Sequence, residues 1–561
     1  MTLPEAAVAQ PIPLPPDFLV YFEPGEDRLL WERDRGHFPH QLPTLEGEIV
    51  AHALAHGLTH AMRHYDAPID RMAVRILHGY MYQAMVPATG TPEELAARGR
   101  SAEARVTEVI GRLGEQWEQG WLPEIEEHLR AMEASDPRAM SEAGLLAMLD
   151  DYDARLRRLW EIHFEIVLPA YLAVSEFDEL YRDLFGGEAF DAYRLLHGFP
   201  TKTFEVGRDL WRLSRLALES PDVAAVLHTA AAVDIPGRLE RFAAGRTFLT
   251  ELSRHLAEYG HRTSNWGIST PSFIEDPRPV LKMLKDYAGQ PDGADPGREL
   301  ARLVAEREAA VAEARERLEG YPAPVVGQFE ALLEAAQLGL RLTEDHGFYI
   351  DAYAVSLVRE LRSEIGQRFA AAAVVAHPED VLMLRGEEVR DALADLTRVE
   401  LHGPVAERRA HLARYAAVQP PAMLGTLPAG PPPESPFTRL GAKFSGVPAA
   451  EAEPGLVRGA AGSAGRATGI ARVVRSLAEA SRVNAGEILV AETTAPPWTP
   501  LFGVVAAVVT DTGGILGHCA VVAREYGIPA VVGATGATTV IEDGDVVEVD
   551  GEAGTVRVLR P

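Results

Sequence analysis

One histidine lies where a strand-like run gives way to a helix-like run, a position suited to phosphate chemistry. In DTGGILGHCAVVAREYGIPAVVGA (511–534), an apolar segment ends at Thr510, and His518 precedes a helical pattern that Gly527 terminates. The first turn of a helix has free N–H groups and the positive end of the helix dipole, and both favour an anion. A neutral imidazole there is suited to be a nucleophile that carries a phosphoryl group. The alternative is a helix-capping histidine without chemistry.

The residues around His518 predict a tight phosphate-binding loop. Paired glycines permit a close turn after the strand, because glycine has no Cβ. The loop residues that are candidates for positioning phosphate are Thr512, Gly513, Gly514 and Gly517. Arg524 follows the histidine by six residues, nearly two helical turns, and is expected to face the phosphate or a neighbouring acid.

The segments on either side of this loop predict a small α/β domain. Val-rich runs of four to eight residues alternate with Gly and Asp turns, which is typical of short strands. These runs lie within GIARVVRSL (469–477), EILVAE (487–492), GVVAAVVT (503–510), AVVGA (530–534) and DVVEVDGEAGTVRVL (545–559), the last of which predicts a hairpin. We therefore expect residues 438–561 to fold as one α/β domain with His518 at a strand-to-helix junction.

The rest of the chain has a different pattern. In residues 1–418, Leu, Ala, Glu and Arg dominate and recur at helix spacing, as in ARLVAEREAAVAEARERLEG (301–320). The segment QPPAMLGTLPAGPPPESPF (419–437) contains seven prolines and predicts a semi-extended hinge linker, neither a helix nor a central strand. The predicted fold is multidomain: a large, mostly α-helical domain, a hinge, and the small α/β domain.

Composition excludes several classes of function. The chain has 561 residues, with 54 Lys plus Arg against 82 Asp plus Glu, for a formal net charge of −28. This acidity argues against binding nucleic acid or an anionic membrane with the general surface.

No apolar run is long enough for a transmembrane helix and no signal peptide is evident, so we expect a cytoplasmic protein. A single cysteine, Cys519, excludes an intramolecular disulfide, and no cluster predicts a metal site.

The run around His518 resembles the phosphohistidine, or swivelling, domain of the phosphoenolpyruvate-utilising enzymes. The family pattern has Gly-Gly, a small hydroxyl or thiol residue before the histidine, and a helix ending in ARExGIPAVVG, which this chain has at 523–533. WTPLF (498–502) and GSAGRATGIARVV (462–474) match two further family elements. The resemblance implies that His518 is the phosphoacceptor. Gly517 departs from the pattern, and an inactive copy is the alternative that this departure leaves open.

The helical region resembles, more weakly, the acceptor-binding region of rifampin phosphotransferase-like proteins and their phenylphosphate synthase relatives. The stretches that carry this resemblance include LLHGFPTKTFEVGRDLW (195–211), LAEYGHRTSNWGISTPSFIEDP (256–277) and TEDHGFYIDAYAVSLVRELRSEIGQRF (343–369). No nucleotide-binding motif is evident, so the resemblance implies a separate ATP-grasp subunit that holds ATP and Mg²⁺ and loads His518. The implied activity is a phosphotransferase that passes the phosphoryl group to a hydroxyl of a small aromatic compound, such as a phenol or a 4-hydroxyphenyl ketone, in aromatic catabolism.

Three further residues are candidates to assist the transfer. His261 and Arg262 in YGHR are expected to be a base or a phosphate clamp, with a cation at a helix end as the alternative. His346 follows two acids and is a candidate base, with a capping or core histidine as the alternative. Two other functions stay open: an antibiotic-inactivating phosphotransferase of the rifampin type, and a phosphocarrier or regulatory protein that is not an enzyme.

Overall fold

The computed structural model describes residues 10–428 apart from 188–190, 264–265 and 398, then 437, 440, and 455–559 apart from 476–478, 480–481 and 496–497. The chain folds as two compact units. The first comprises Met1–Ile166, Gly267–Ser269 and Tyr353–Thr438, and the second comprises Val167–Trp266, Thr270–Ala352 and Arg439–Pro561. The chain therefore enters each unit more than once.

Helices dominate the described residues before the C-terminal region, as the periodicity predicts. The α-helices of all the described residues are, in chain order, α1 (Thr44–His64), α2 (Pro92–Ile110), α3 (Leu113–Gln116), α4 (Leu122–Glu133), α5 (Glu142–Phe185), α6 (Lys202–Leu218), α7 (Pro221–Thr229), α8 (Ile235–Leu239), α9 (Ala243–Tyr259), α10 (Arg278–Ala288), α11 (Pro296–Arg317), α12 (Ala323–Gly347), α13 (Val355–Ala371), α14 (Gly386–Ala394), α15 (His402–Ala416), α16 (Thr499–Phe502), α17 (His518–Glu525) and α18 (Ala537–Val540). None of the helices in the described ranges has the length and apolar character needed to cross a bilayer.

The strands form two sheets, one in each unit. In chain order they are β1 (Gln10–Pro11), β2 (Leu30–Arg33), β3 (Ile69–Leu77), β4 (Tyr80–Pro87), β5 (Met423–Leu427), β6 (Leu456–Arg458), β7 (Ala460–Ser463), β8 (Arg466–Val474), β9 (Ile488–Ala491), β10 (Ala507–Thr510), β11 (Ala530–Val532), β12 (Val546–Asp550) and β13 (Thr555–Val558). The first sheet has the order β1-β5-β2-β4-β3, and the second has the order β6-β13-β12-β8-β9-β10-β11-β7.

A hairpin interrupts the region that the sequence analysis assigns to helices. Strands β3 and β4 pair antiparallel, with Leu77 opposite Tyr80, around a two-residue turn at His78 and Gly79. Both turn residues have positive φ angles, 54° and 87°, as a type I′ turn requires. The stretch HGYMYQA (78–84) is therefore a turn and a strand. It is an exception within the described part of residues 1–418, which is mostly helical as predicted.

Part of the predicted hinge is also a strand. Strand β5 lies between β1 and β2, and Leu424 pairs with Trp31 in the core of the first sheet. The prolines flank this run rather than interrupt it, so its N–H groups can join the ladder. The expectation that 419–437 is a linker throughout is therefore wrong at Met423–Leu427; residues 429–436 of that segment lie outside the described residues.

The predicted α/β region is present in the second unit. Strands β8 to β11 pair in parallel, and β12 and β13 form the predicted hairpin with Asp550 opposite Thr555. One face of this sheet shares a hydrophobic core with helices α6, α9 and α10, in which Leu210, Tyr287 and Phe502 are buried. The boundary predicted at 418 thus differs from the division observed, because the C-terminal region packs with residues 167–352 into one unit.

Candidate functional site

His518 is the first residue of α17, at the end of the loop that follows β10. Gly513 has a φ angle of 97°, in the region that favours glycine. The N–H of Gly517 donates to the carbonyl oxygen of Gly514 at 2.9 Å, which closes the turn before the helix. Gly517 is the N-cap residue and has an extended backbone, φ −69° and ψ 155°. The loop therefore presents the imidazole at the start of the helix, as predicted.

Glu344, in the last turn of α12, orients this imidazole. Nδ1 of His518 lies 3.0 Å from Oε1 of Glu344, and the two side chains are only 12% and 5% exposed. A carboxylate accepts hydrogen bonds, so Nδ1 carries the proton and Nε2 keeps its lone pair. Within the described ranges, Nε2 is buried and has no hydrogen-bond partner. The geometry thus leaves Nε2 as the nucleophilic atom.

A second helix supports Glu344 from its other side. Thr203, in the first turn of α6, donates its hydroxyl to Oε2 of Glu344 at 3.2 Å. The adjacent Asp345 accepts the backbone N–H of Lys202 at 2.8 Å, and burial raises the pKa of Asp345 to about 6. These two carboxylates at the end of α12 therefore bind the start of α6, which fixes the position of Glu344.

Arg262 is a fully buried cation near the same carboxylate. Its side chain is among the largest of those that are less than 2% exposed, and Nε and Nη2 lack hydrogen-bond partners among the described residues. Burial lowers its pKa to about 10, and electrostatic attraction from Glu344 opposes this shift. Nε and Nη2 form the side of a guanidinium that binds two oxygens of one anion. A buried cation with this side unpaired can bind a phosphoryl group.

The other residues predicted to assist have different surroundings. His346 donates from Nδ1 to the carbonyl oxygen of Leu342 at 2.7 Å, in its own helix. It is two residues from Glu344, which is about 200° around an α-helix, so the two side chains leave α12 in different directions. His261 is partly buried beside Arg262. The structure therefore places Arg262 within electrostatic reach of the carboxylate that orients His518, whereas Nδ1 of His346 binds its own helix.

Arg524 and Thr512 bind the loop itself. Nη2 of Arg524 donates to the carbonyl oxygen of Ile515 at 2.7 Å, and its guanidinium lies 4.2 Å from the centre of the Tyr193 ring. The hydroxyl of Thr512 donates to the carbonyl oxygen of Glu492 at 2.9 Å. Both contacts hold the backbone before His518. Burial lowers the pKa of Arg524, and attraction from Asp178 and Glu525 opposes this shift. The expected acidic neighbours of Arg524 are therefore present, and its contact with the loop is an additional one.

Glu344 and Thr203 are site residues that the sequence patterns do not single out. Glu344 is one of the two acids before His346, and Thr203 lies within LLHGFPTKTFEVGRDLW (195–211). Glu344 is 174 residues from His518 in the chain and 141 residues from Thr203. In the sequence, Glu344 is only one of many carboxylates in helices of the region that resembles an acceptor-binding domain. The sequence therefore gives no reason to choose it over the others.

Two segments of the chain match known protein families, and each contains a residue of this site. A family profile described as the rifampicin phosphotransferase fourth domain matches residues 163–344, and one described as the PEP-utilising enzyme mobile domain matches residues 483–554. The first region ends at Glu344, and the second contains His518. Each matched region therefore supplies one member of the His518–Glu344 pair.

Several curated proteins are similar to this chain. Chondramide synthase of Chondromyces crocatus is 39% identical over 98% of this chain and 14% of that protein. An uncharacterized phosphotransferase of Bacillus subtilis (strain 168) is 32% identical over 71% of this chain and 47% of that protein. A rifampicin phosphotransferase of a Streptomyces species is 30% identical over 64% of this chain and 40% of that protein. The chain thus spans less than half the length of each of these relatives.

Proposed function

Because this chain belongs to the phosphoenolpyruvate-utilising enzyme family, we propose that it is a phosphotransferase component in which His518 carries a phosphoryl group to a substrate hydroxyl. The single observation that carries the proposal is the contact between Nδ1 of His518 and Glu344, at 3.0 Å, which leaves Nε2 with a free lone pair. The phosphoryl donor is ATP, bound by an ATP-grasp module, as the family resemblance implies.

The first step of the proposed reaction loads a phosphoryl group onto His518. Nε2 attacks the phosphorus atom of the donor, so that an N–P bond forms while the P–O bond to the leaving group breaks. The ring then carries a positive charge, and the carboxylate of Glu344 compensates it through the Nδ1–H bond. Arg262 binds two phosphoryl oxygens through Nε and Nη2, the atoms that have no partner among the described residues.

Transfer to the acceptor reverses the chemistry at the same nitrogen. The acceptor oxygen attacks phosphorus, the Nε2–P bond breaks, and the ring recovers its lone pair. A phenol has a pKa close to that of tyrosine, about 10, so its proton must pass to a base as the new O–P bond forms. His261, beside Arg262, is the candidate base from the predicted set. The acceptor class is a small aromatic hydroxyl compound, as the resemblance to phenylphosphate synthase implies.

A second candidate acceptor is favoured by the comparisons. The match to the rifampicin phosphotransferase fourth domain covers 163–344, the region that supplies Glu344, Thr203 and Arg262. An antibiotic of the rifamycin type carries hydroxyl groups on a much larger apolar framework than a phenol. The two acceptors share the His518 step and differ only in the compound that discharges the phosphohistidine.

The test measures phosphorylation and discharge separately. The chain is incubated with β-labelled ATP, Mg²⁺ and an ATP-grasp protein encoded beside its gene, and in a parallel arm with phosphoramidate, a small phosphoryl donor that needs no partner. We expect acid-labile label on the wild type and on His228→Ala, whose histidine is exposed on α7, and none on His518→Ala. Phenols, 4-hydroxyphenyl ketones and rifampicin are then added to the labelled protein.

The outcomes separate the candidate functions. Discharge to a phenol supports the aromatic acceptor, and discharge to rifampicin supports the second candidate. Stable label that no acceptor removes would indicate a phosphocarrier. Absence of label from both donors, or label that persists in His518→Ala, would overturn the proposal.

A further inference from the structure

A row of histidines on α1 faces two glutamates of α5 within the first unit. His56, His60 and His64 recur every fourth residue, so they lie along one face of the helix. Nε2 of His56 lies 2.6 Å from Oε1 of Glu161, and Nε2 of His60 lies 2.9 Å from Oε1 of Glu165. The proposed phosphoryl transfer uses none of these residues.

Three of these side chains have the separation of metal ligands. One ligand atom each from His60, His64 and Glu165 lies within 4.8 Å of the others. The rings of His60 and His64 are stacked, with centroids 6.0 Å apart and an interplanar angle of 19°. Two histidines one helical turn apart and a carboxylate from another helix form a ligand set that zinc and similar divalent ions accept.

Neighbouring groups hold these ligands as an outer coordination shell does. Trp121 donates its indole N–H to Oε2 of Glu165 at 3.1 Å, which leaves Oε1 directed at His60. Nδ1 of His60 lies 3.7 Å from Oε1 of Glu161, longer than a hydrogen bond, so a small movement would be needed to form the carboxylate–histidine contact common around zinc sites. The two ligands that α1 and α5 supply at His60 and Glu165 are thus already oriented.

The charge balance of the cluster favours a divalent cation. Three carboxylates, Glu124, Glu161 and Glu165, share one guanidinium, that of Arg158, at 2.7, 2.9 and 3.0 Å. With the histidines neutral, as metal ligands are, these four groups carry a net charge of −2. Arg105, Glu108 and Arg112 near His64 add a net +1, so the surroundings stay negative and attract a cation. A bound divalent ion would replace the bond from Arg158 to Oε1 of Glu165 while the bonds to Glu124 and Glu161 remain.

A cavity lies beside the third ligand. His64 lines a cavity of about 230 Å³ together with Tyr65, Arg105, Glu108, Val109, Arg112 and Gln116. Arg105 donates to the backbone carbonyl oxygen of His64 at 2.9 Å, which fixes the end of α1 at the cavity wall. The cavity gives water or a small ligand access to a fourth coordination position.

We propose that His60, His64 and Glu165 bind one zinc-class divalent metal ion, with an open position toward this cavity. The sequence analysis expects no metal site, because His60 and Glu165 are 105 residues apart and only the packing of α1 against α5 brings them together. The proposal concerns the first unit and does not depend on the function proposed for His518.

The experiment titrates metal into the full chain after removal of metal with EDTA. Isothermal titration with Zn²⁺ measures stoichiometry and affinity, and Co²⁺ titration reports a tetrahedral site through its visible absorption. The variants are His64→Ala and the matched control His52→Ala, since both histidines are exposed and lie on α1. We expect one ion per wild-type chain, at least ~10-fold weaker binding in His64→Ala, and a change of less than ~2-fold in His52→Ala.

Stability supplies a second readout. An ion that binds only the folded chain raises the melting temperature, so Zn²⁺ is expected to raise it in the wild type and in His52→Ala but not in His64→Ala. The absence of stoichiometric binding would overturn the proposal. Equal weakening of Zn²⁺ binding by His52→Ala and His64→Ala would overturn it as well, because the ion would then bind to histidines of α1 in general and not to the proposed site. A His60→Ala variant that retains full affinity would have the same consequence.

Discussion

Thr203 and His518 donate to opposite oxygens of one carboxylate, that of Glu344, at 3.2 and 3.0 Å. Each donor comes from the first turn of a different helix, α6 or α17, and the acceptor lies in the last turn of α12. Since both oxygens are bound, the carboxylate cannot rotate without losing a hydrogen bond. The orientation of His518 thus depends on the packing of three helices of the second unit.

Replacement of Glu344 by glutamine is expected to slow phosphorylation of His518 by ~10²-fold or more, by analogy with the loss of an orienting carboxylate from a catalytic histidine. The amide has no charge to compensate the imidazolium, and it presents either a donor or a neutral acceptor to Nδ1. The measurement is the initial rate of acid-labile labelling. Glu205→Gln, on α6 and paired with Lys202, is the control, and an unchanged rate in Glu344→Gln would refute the assigned role.

The Thr203→Val variant removes only the hydroxyl that binds Oε2 of Glu344. We expect a loss of ~1–2 kcal/mol in the free energy of unfolding, because a buried carboxylate oxygen loses its donor, together with slower labelling. Urea denaturation and the labelling rate are measured on the same preparation. In the control Thr250→Val, the lost hydroxyl binds only its own helix, and both quantities should stay near wild type. Slower labelling in the control but not in Thr203→Val would count against the role of Thr203.

Arg262→Met is expected to separate stability from activity. The buried guanidinium has unpaired atoms among the described residues, and burial lowers its pKa to about 10. Its removal relieves a desolvation cost, so the melting temperature should stay unchanged or rise. Phosphoryl transfer should fall by ~10²-fold or more if the cation stabilises charge on the phosphoryl oxygens. Arg254→Met, at an exposed arginine paired with Glu251, is the control for removal of a cation.

A result in which Arg262→Met unfolds the chain would indicate a structural cation. Arg262→Lys distinguishes the two roles further, because lysine keeps the charge but cannot bind two oxygens with one planar group. A clamp predicts that Arg262→Lys recovers only part of the transfer rate that Arg262→Met loses. A purely electrostatic role predicts nearly full recovery of that rate.

Stability should fall as pH rises through the pKa of Glu525. Burial and the charge of Glu344 raise the pKa of Glu525 to about 8, from a usual value of 4.5. The protonated form is favoured in the folded state, so its stabilising contribution is complete below about pH 4.5 and is lost as the pH approaches 8. The slope is at most ~1.4 kcal/mol per pH unit for one group.

The Glu525→Gln variant has no such titration, and its stability relative to wild type is expected to increase between pH 6 and pH 8. Urea midpoints at pH 6, 7 and 8 measure this difference. Glu479→Gln, at a partly exposed glutamate paired with Arg482, should show a constant difference from wild type. A constant difference for Glu525→Gln would show that Glu525 keeps an ordinary pKa in the folded chain.

Gly517→Ser restores the side-chain type that the family pattern has before the histidine. The backbone angles of Gly517 suit any residue, but a Cβ there would lie 3.2 Å from the carbonyl oxygen of Gly514. Serine at an N-cap differs from glycine by a few tenths of a kcal/mol, so we expect stability within ~1 kcal/mol of wild type. Labelling should persist at a comparable or higher rate. Loss of labelling with the fold retained would mean that the loop requires glycine at this position.

The sequence by itself determined the part of the site whose residues are neighbours in the chain. The strand before His518, the glycine loop, the helix that begins at His518 and the hairpin of β12 and β13 follow from local patterns of apolar, turn and helix-forming residues, and the structure contains all of them. Local patterns were sufficient because each of these features depends on backbone preferences within about a dozen residues.

Only the tertiary structure decided which distant side chains join this loop. Glu344, Thr203 and Arg262 come from three separate segments of the second unit. Arg262 is a candidate from its place in YGHR, but nothing in the local sequences of Glu344 and Thr203 distinguishes them from surface residues of the same type. The same holds for Met423–Leu427, whose place in a sheet depends on β1 and β2. Which distant segments come into contact depends on how whole helices and strands pack against one another. A short stretch of sequence does not contain this information.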